Sequence, residues 1–134
     1  MNFSLDADDE SILGYIDHWC DLLAKQRYAA ALAAVHGGAE PNHWNPELLE
    51  KVINGYGLPE PHPCGEVFVV TERTTAKGKQ HHREIQREDF GDPHIGDLWY
   101  DLPLNGEWSD LTAAFDLKRD GSQLGIVLDQ VHVF

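Results

Sequence analysis

The fold is decided by the last third of the chain, Leu98 to Phe134, which reads LWYDLPLNGEWSDLTAAFDLKRDGSQLGIVLDQVHVF. Apolar and polar residues alternate along it, and the pairs Asn105-Gly106 and Asp120-Gly121 interrupt the alternation. A period of two is typical of half-buried strands, and Asn-Gly or Asp-Gly between two such runs favours a tight hairpin turn. The stretch therefore predicts three antiparallel strands, over residues 98–102, 108–118 and 124–134.

Two-residue turns at both places fix the register of this sheet and separate its side chains into two faces. The pairing places Tyr100 opposite Leu111, and Phe115 opposite Ile126. One face is then mainly apolar and must pack against helices, so we call it the inner face. Its polar members gather at one end and are Tyr100, Ser109, Gln130 and His132.

The opposite face of the predicted sheet, the outer face, is acidic. Its members are Asp97, Trp99, Asp101, Asp110, Thr112, Asp116 and Asp129. The register puts Asp101 opposite Asp110, and like charges in that position destabilise a sheet. Such a pair can act as acid and base or hold a cation, but on a solvated face it is screened, and we predict no metal site. Trp99 in a charged field suits an interface anchor. The candidate partner-binding residues are Asp97, Trp99, Asp101, Asp110 and Asp129.

The first half of the chain predicts three helices. Ile12, Ile16, Trp19 and Leu23 belong to an apolar stripe at helical spacing, preceded by acidic residues that suit a first helical turn. A second helix covers 28–35, and a third follows the helix start Asn45-Pro46-Glu47. Strands are predicted over 66–73 and 81–88. The whole predicts an α+β fold, with N-terminal helices packed on a strongly curved antiparallel sheet, in a single domain over 1–134.

This order of elements resembles the NTF2-like, cystatin-related α+β superfamily. The resemblance rests on the opening helix pair, Tyr15 to Ala24 followed by Tyr28 to Leu32, and extends as a pattern over nearly the whole chain. Gln26-Arg27-Tyr28 stands where members often carry Gly-Asp-Tyr, so that junction matches only in part. The resemblance implies helices closed over a concave sheet, with a conical pocket between them. The superfamily includes enzymes, ligand binders and partner-binding modules, so the fold alone selects no function.

The conical pocket has candidate lining residues on both layers. A mainly apolar cavity with a few convergent polar groups is typical of a small-molecule site. The alternative is an open sheet end whose polar groups bind water or helix termini. The candidate ligand-binding residues, for a small apolar molecule, are Tyr15, His18, Trp19, Tyr100, Ser109, Gln130 and His132.

Composition narrows the classes of partner. The chain has 134 residues, with 10 Lys and Arg against 23 Asp and Glu, a net charge of −13. That balance argues against nucleic acid and favours a basic protein partner. No apolar run is long enough for a membrane span and no secretory signal opens the chain, so we expect a cytoplasmic protein that does not bind membranes.

The sequence lacks the common catalytic and cofactor-binding motifs. There is no nucleophile elbow, phosphate loop or dinucleotide fingerprint, and we expect no cofactor. His81-His82, with His62 and His94, match no zinc spacing and indicate a polar strand. Cys20 and Cys64 form no CxxC pair, and neither has the basic, helix-N-terminal surroundings of a nucleophile.

Three functions are compatible with the sequence. The first is a non-catalytic NTF2-like domain with a small ligand pocket and an acidic association face, which is also able to form a homodimer through its sheet. The second is an acidic, toxin-immunity-like module that neutralises a basic partner. The third is an isomerase- or hydratase-like enzyme that uses His132 or His18 with a carboxylate.

Overall fold

A computed structural model describes residues 3–35, 44–78, 81–88 and 93–134. Three helices pack against a strongly curled, five-stranded antiparallel sheet, which confirms the α+β prediction. The strand order is β1-β5-β4-β3-β2. No helix in the described part of the chain is long and apolar enough to cross a membrane. The elements are β1 (Phe3–Ser4), α1 (Asp9–Ala24), α2 (Tyr28–Ala34), α3 (Pro46–Asn54), a 3-10 turn (Arg73–Thr75), β2 (Arg83–Arg87), β3 (His94–Leu104), β4 (Glu107–Asp120) and β5 (Gln123–Val133).

Side chains cap the N-termini of α1 and α3, and the cap at Asn45 is the predicted one. The side chain of Asp8 accepts a hydrogen bond from the backbone N–H of Ser11 at 2.9 Å, and Asn45 caps α3 in the same way through Leu48. These bonds satisfy backbone donors that have no partner inside the helix. The predicted stripe of α1 is buried, and its Trp19 ring meets Phe115 of β4 edge to face at 5.0 Å. The predicted end of the second helix, Gly37-Gly38, lies outside the described residues.

The hairpin between β3 and β4 turns at Asn105-Gly106, as predicted, but contains an irregularity close to the turn. Pro103 pairs with Trp108, whereas Asp101 pairs with Thr112, so β4 contributes two extra residues. The Ser109 hydroxyl donates to the Leu102 carbonyl at 2.7 Å and accepts from the Leu111 N–H at 3.1 Å. The predicted partner of Tyr100 is therefore wrong by two residues, but its face is right.

The hairpin between β4 and β5 differs in two ways from the prediction. Asp120 pairs with Gln123, so the turn is one residue later than expected, and Phe115 faces Leu128 instead of Ile126. Beyond Leu128, the residue opposite Ala114 is Gln130, which leaves Asp129 as a single extra residue in a β-bulge. One extra residue reverses the alternation of faces for the rest of the strand.

The bulge corrects two predicted inner-face positions. Val131 is buried opposite Ala113, while Gln130 and His132 are exposed. The placement of Gln130 and His132 on the inner face is therefore wrong. The other predicted apolar inner-face residues are all buried. They are Leu98, Leu102, Leu111, Ala113, Phe115, Leu117, Leu124, Ile126 and Leu128.

The two other predicted strands differ in outcome. The polar strand over 81–88 is β2, the outermost strand beside β3, as expected for a solvated edge. The strand over 66–73 is wrong, because only Val70 forms an isolated bridge there, with Leu104. The segment is tied down instead by the Asn105 side chain, whose Oδ1 accepts from the Val69 N–H at 3.0 Å.

Candidate functional site

The outer face of the sheet contains a direct pairing of two carboxylates, but not the predicted one. Asp97 of β3 lies opposite Asp116 of β4. Their side chains are 23% and 24% exposed, so water screens them only in part. The predicted pairing of Asp101 with Asp110 is wrong, because the two extra residues near the first turn place Thr112 opposite Asp101.

His94 lies beside this pair. Its Nε2 is 2.8 Å from an Asp97 oxygen and 3.7 Å from an Asp116 oxygen. A register shift between His94 and Gly96 positions the ring there. We call His94, Asp97 and Asp116 the His94 cluster. The Nε2 atom is also 2.9 Å from the Gly96 carbonyl, which can only accept, so this nitrogen carries the proton.

The same three residues could hold a metal ion, since one donor atom from each lies within 4.8 Å of the others. A metal would need the lone pair of His94 Nε2, and the Gly96 carbonyl favours an N–H at that position. The geometry therefore suits an organic cation, which the carboxylates can bind while Nε2 keeps its proton, better than it suits a metal.

Asp116 is the more perturbed carboxylate of the cluster. Burial raises its pKa, and the negative charge of Asp129 raises it further, while His94 and Lys118 act in the opposite direction. A raised pKa in an acid means that its charged form is disfavoured in the folded chain. An added positive charge at this place would remove that cost.

Trp99 stands next to the His94 cluster on the same face. It pairs with Glu84 of β2 on one side and with Ala114 of β4 on the other, and it is partly exposed. Asp97 and Trp99 are two residues apart on one strand, so their side chains emerge on the same side. The expected aromatic within an acidic surface is present.

The remaining acidic candidates are engaged in other contacts. Asp101 is 8% exposed and accepts a hydrogen bond from the Thr112 hydroxyl at 2.7 Å. Asp110 accepts from the hydroxyl of Tyr56. The backbone carbonyl of Asp129 accepts from Trp44 Nε1 at 3.1 Å, and its side chain is exposed. Of the predicted acidic face, Asp97, Trp99 and Asp129 thus lie near Asp116, while Asp101 and Asp110 have structural partners.

The structure does not gather the seven predicted pocket residues. Tyr15 donates to the Ala34 carbonyl at 2.7 Å, and Ser109 donates to Leu102. Trp19 and Tyr100 are fully buried, whereas His18 is exposed on α1. With Gln130 and His132 on the outer side, only Trp19 and Tyr100 of the seven are buried in the core. Within the described part of the chain, the indole Nε1 of Trp19 is buried without a hydrogen-bond partner.

An ion-pair network between α1 and the sheet edge went unrecognised in the sequence. The Tyr100 hydroxyl donates to Asp17 at 2.5 Å, and Arg83 binds the other Asp17 oxygen at 2.6 Å. Arg73 forms two bonds with Asp21, at 2.8 and 3.0 Å. The available signal was the spacing of Asp17 and Asp21, which puts two acids on one side of a helix beside its apolar stripe.

His81 is a second residue whose setting the sequence did not reveal. Its ring stacks on Trp108 with centroids 3.8 Å apart, and its Nε2 is 3.0 Å from the Asp101 carbonyl. Burial lowers the pKa of His81, so the neutral ring is favoured. Both histidines precede β2 instead of lying in it, and His82, unlike His81, is exposed and pairs with Glu84.

No protein-family model, no curated protein and no solved structure matches the chain.

Proposed function

We propose that this chain is a non-catalytic binding domain of the NTF2-like type, whose outer sheet face associates with a basic protein. The observation that carries the proposal is the direct pairing of Asp97 with Asp116 beside a partly exposed Trp99. Opposed carboxylates destabilise a bare sheet, and a Lys or Arg from a partner would relieve that repulsion. The repulsion energy that is relieved on binding adds to the affinity for the partner.

The position of Trp99 favours a protein side chain as the cation that binds this face. Its indole can receive an Arg guanidinium on its face while the carboxylates of the His94 cluster bind the donors at the guanidinium edge. Interfaces concentrate their energy in such aromatic and Arg contacts. The net charge of −13 would speed encounter with a basic partner, as in proteins that neutralise toxins.

The test compares two double variants with the same change in charge. D97N/D116N removes the opposed carboxylates, while E47Q/E50Q removes two exposed charges on α3. Each is titrated with an arginine-rich synthetic peptide and followed by backbone amide NMR. We expect shifts around residues 97–101 and 112–116, and a dissociation constant that rises about tenfold in D97N/D116N, which is about 1.4 kcal/mol. E47Q/E50Q should change it less than twofold.

Several results would contradict the proposal. Equal losses in the two double variants would mean that only net charge matters. Shifts spread over the helices would place binding elsewhere. Tight Zn²⁺ binding that D116N abolishes, together with unchanged peptide binding, would make the His94 cluster a metal site. A dimer in sedimentation that is lost in W99A would mean that the outer face binds a second copy of the chain.

A second candidate function is supported by Trp19. Its buried indole N–H lacks a partner among the described residues, and an unmade bond of this kind costs roughly 1–3 kcal/mol. A small apolar molecule with one acceptor oxygen, entering between α1 and the sheet, would satisfy it. Thermal shift with short-chain carboxylic acids tests this, and W19F should abolish any rise in melting temperature. A rise that persists in W19F would disprove a site at Trp19.

The proposal includes a cytoplasmic location. The two cysteines are both free, Cys20 buried and Cys64 exposed. Free thiols are the normal state in a reducing compartment. Isolation of the native protein with both thiols reduced would support this location, and a native Cys20–Cys64 disulfide would overturn it.

A further inference from the structure

A cysteine and a histidine face each other in the loop that follows α3. The Sγ atom of Cys64 lies 2.9 Å from Nδ1 of His62. The backbone N–H of Glu66 also points to Sγ, at 3.4 Å. Sulfur accepts hydrogen bonds best as a thiolate, so the Glu66 N–H favours the anion, and Nδ1 favours it once it has taken the thiol proton. Cys64 is exposed, so a reagent in solution can reach it.

The hydrogen bonds fix which atom can take the thiol proton. The backbone N–H of Cys64 donates to His62 Nδ1 at 3.1 Å, so this nitrogen presents a lone pair. Sγ is within hydrogen-bond reach of the same nitrogen, so the thiol proton and the Cys64 N–H share this lone pair. A nucleophile within hydrogen-bond reach of a base is the arrangement that activates cysteine in enzymes.

The histidine is held in place by its surroundings. Its ring lies edge to face against Phe68 at 5.5 Å and against Tyr56 at 6.1 Å. The N–H of Gly65 donates to the His62 carbonyl at 2.9 Å and closes a turn around Cys64. These contacts restrict the His62 side chain to the rotamer that places Nδ1 beside Sγ.

The same loop forms one wall of an open groove of about 450 Å³. Residues on either side of the pair, Pro61 and Gly65, line it, and Val67 adds an exposed apolar side chain. His62 and Cys64 themselves do not line the groove, so the reactivity depends on the pair itself and on the exposure of Cys64.

Cys20 is the internal contrast. It is fully buried on α1, and burial raises the pKa of its thiol to about 12, with a further contribution from the charge of Asp21. A buried, neutral thiol is unreactive, because the thiolate is the nucleophile. The chain thus contains one accessible and one inaccessible thiol.

We propose that Cys64 and His62 form a reactive thiol–imidazole pair that undergoes exchange with small organic disulfides. The Cys64 proton moves to His62 Nδ1, and the thiolate attacks one sulfur of the disulfide. A new S–S bond joins Cys64 to that sulfur as the old S–S bond breaks. The second sulfur leaves as a thiolate and takes the proton from His62. The disulfide is the oxidant, and one thiol and one disulfide are exchanged for another of each.

The test measures the rate of Cys64 with dithiobis(nitrobenzoate), followed by the absorbance of the released thiol, and with glutathione disulfide, followed by mass. Peptide mapping assigns each adduct. We expect one adduct, on Cys64, and none on Cys20 in the folded chain. The folded rate at pH 7 should exceed that of the same chain in urea about fivefold, because a free thiol is only a few per cent ionised there.

Matched variants separate the base from the packing. H62F keeps an aromatic ring against Tyr56 and Phe68 but has no nitrogen, and its rate should fall about fivefold to the urea value. H82F removes an exposed histidine elsewhere and should leave the rate unchanged. C64S should abolish the adduct. A rate equal to the urea value in the natural chain, or an unchanged rate in H62F, would overturn the proposal. The comparison of folded and urea rates needs no variant, so it still tests the proposal if H62F fails to fold.

Discussion

The two hairpins of the sheet both contain an irregularity, and the consequences are opposite. In the β3–β4 hairpin, β4 contributes two extra residues near the turn, and the side chains from there back to Gly96 keep their faces. In the β4–β5 hairpin, β5 contributes one extra residue, Asp129, and every side chain beyond it changes face. Whether the number of extra residues is odd or even, more than the number itself, decides which side chains meet the core. One residue thus moved Gln130 and His132 to solvent and Val131 inward.

The largest effect should come from the buried side of β5 beyond the bulge. V131A removes apolar volume from a buried position, and we expect a loss of about 2 kcal/mol. H132A changes an exposed neighbour and should stay within about 0.5 kcal/mol. Both are measured by urea denaturation. Similar losses in the two variants would mean that the alternation is not reversed.

A smaller effect is expected in the first hairpin. S109A leaves the Leu102 carbonyl and the Leu111 N–H without the hydroxyl that bonds both. We expect a loss of about 1 kcal/mol in the free energy of unfolding, and faster hydrogen exchange at Leu111. S122A, in the exposed second turn, is the matched control. Unchanged exchange at Leu111 in S109A would show that the hydroxyl does not hold the irregularity in place.

The smallest effect depends on pH. Burial raises the pKa of Asp116, so the folded chain binds this proton more tightly than the unfolded chain does. Asp116 therefore reduces stability above its folded pKa, and the reduction disappears as pH falls below 3.8, its ordinary value. We expect D116N to gain less than about 1 kcal/mol near pH 7 and nothing at pH 3, with D120N as the charge-matched control. A loss at pH 7 relative to D120N would contradict this.

Much of the fold follows from local signals, because capping and turn chemistry act over a few residues. The cap at Asn45, the turn at Asn105-Gly106 and the apolar inner face as far as Leu128 are all present in the structure. The acidic residues before α1 start that helix as expected, although Asp8 is its cap and only Asp9 and Glu10 lie in its first turn. The segment 66–73 has the alternation of a strand but forms only the isolated bridge at Val70. Its other bonds are separate backbone contacts and the contact with the Asn105 side chain, which no local pattern marks.

The candidate site was less predictable, because its position depends on register. Both register changes are set by tertiary contacts: the Ser109 hydroxyl bridges two strands, and Trp44 binds the carbonyl of Asp129. No pattern in the sequence marks either. The His94 cluster likewise needs the shift beside Gly96. His62 and Cys64 are two residues apart, yet only the turn closed by Gly65 brings Nδ1 to Sγ.

The bulge at Asp129 also affects how the sheet ends. β1 pairs only with Gln123 and Leu124, so among the described strands the rest of β5 has a neighbour on one side alone. An open strand of this length is a template on which another chain can add and aggregation can start. A bulge with a charged side chain interrupts that template, since a regular strand cannot follow it. The residue that sets the two faces of β5 thereby also shortens the regular edge on which another strand could pair.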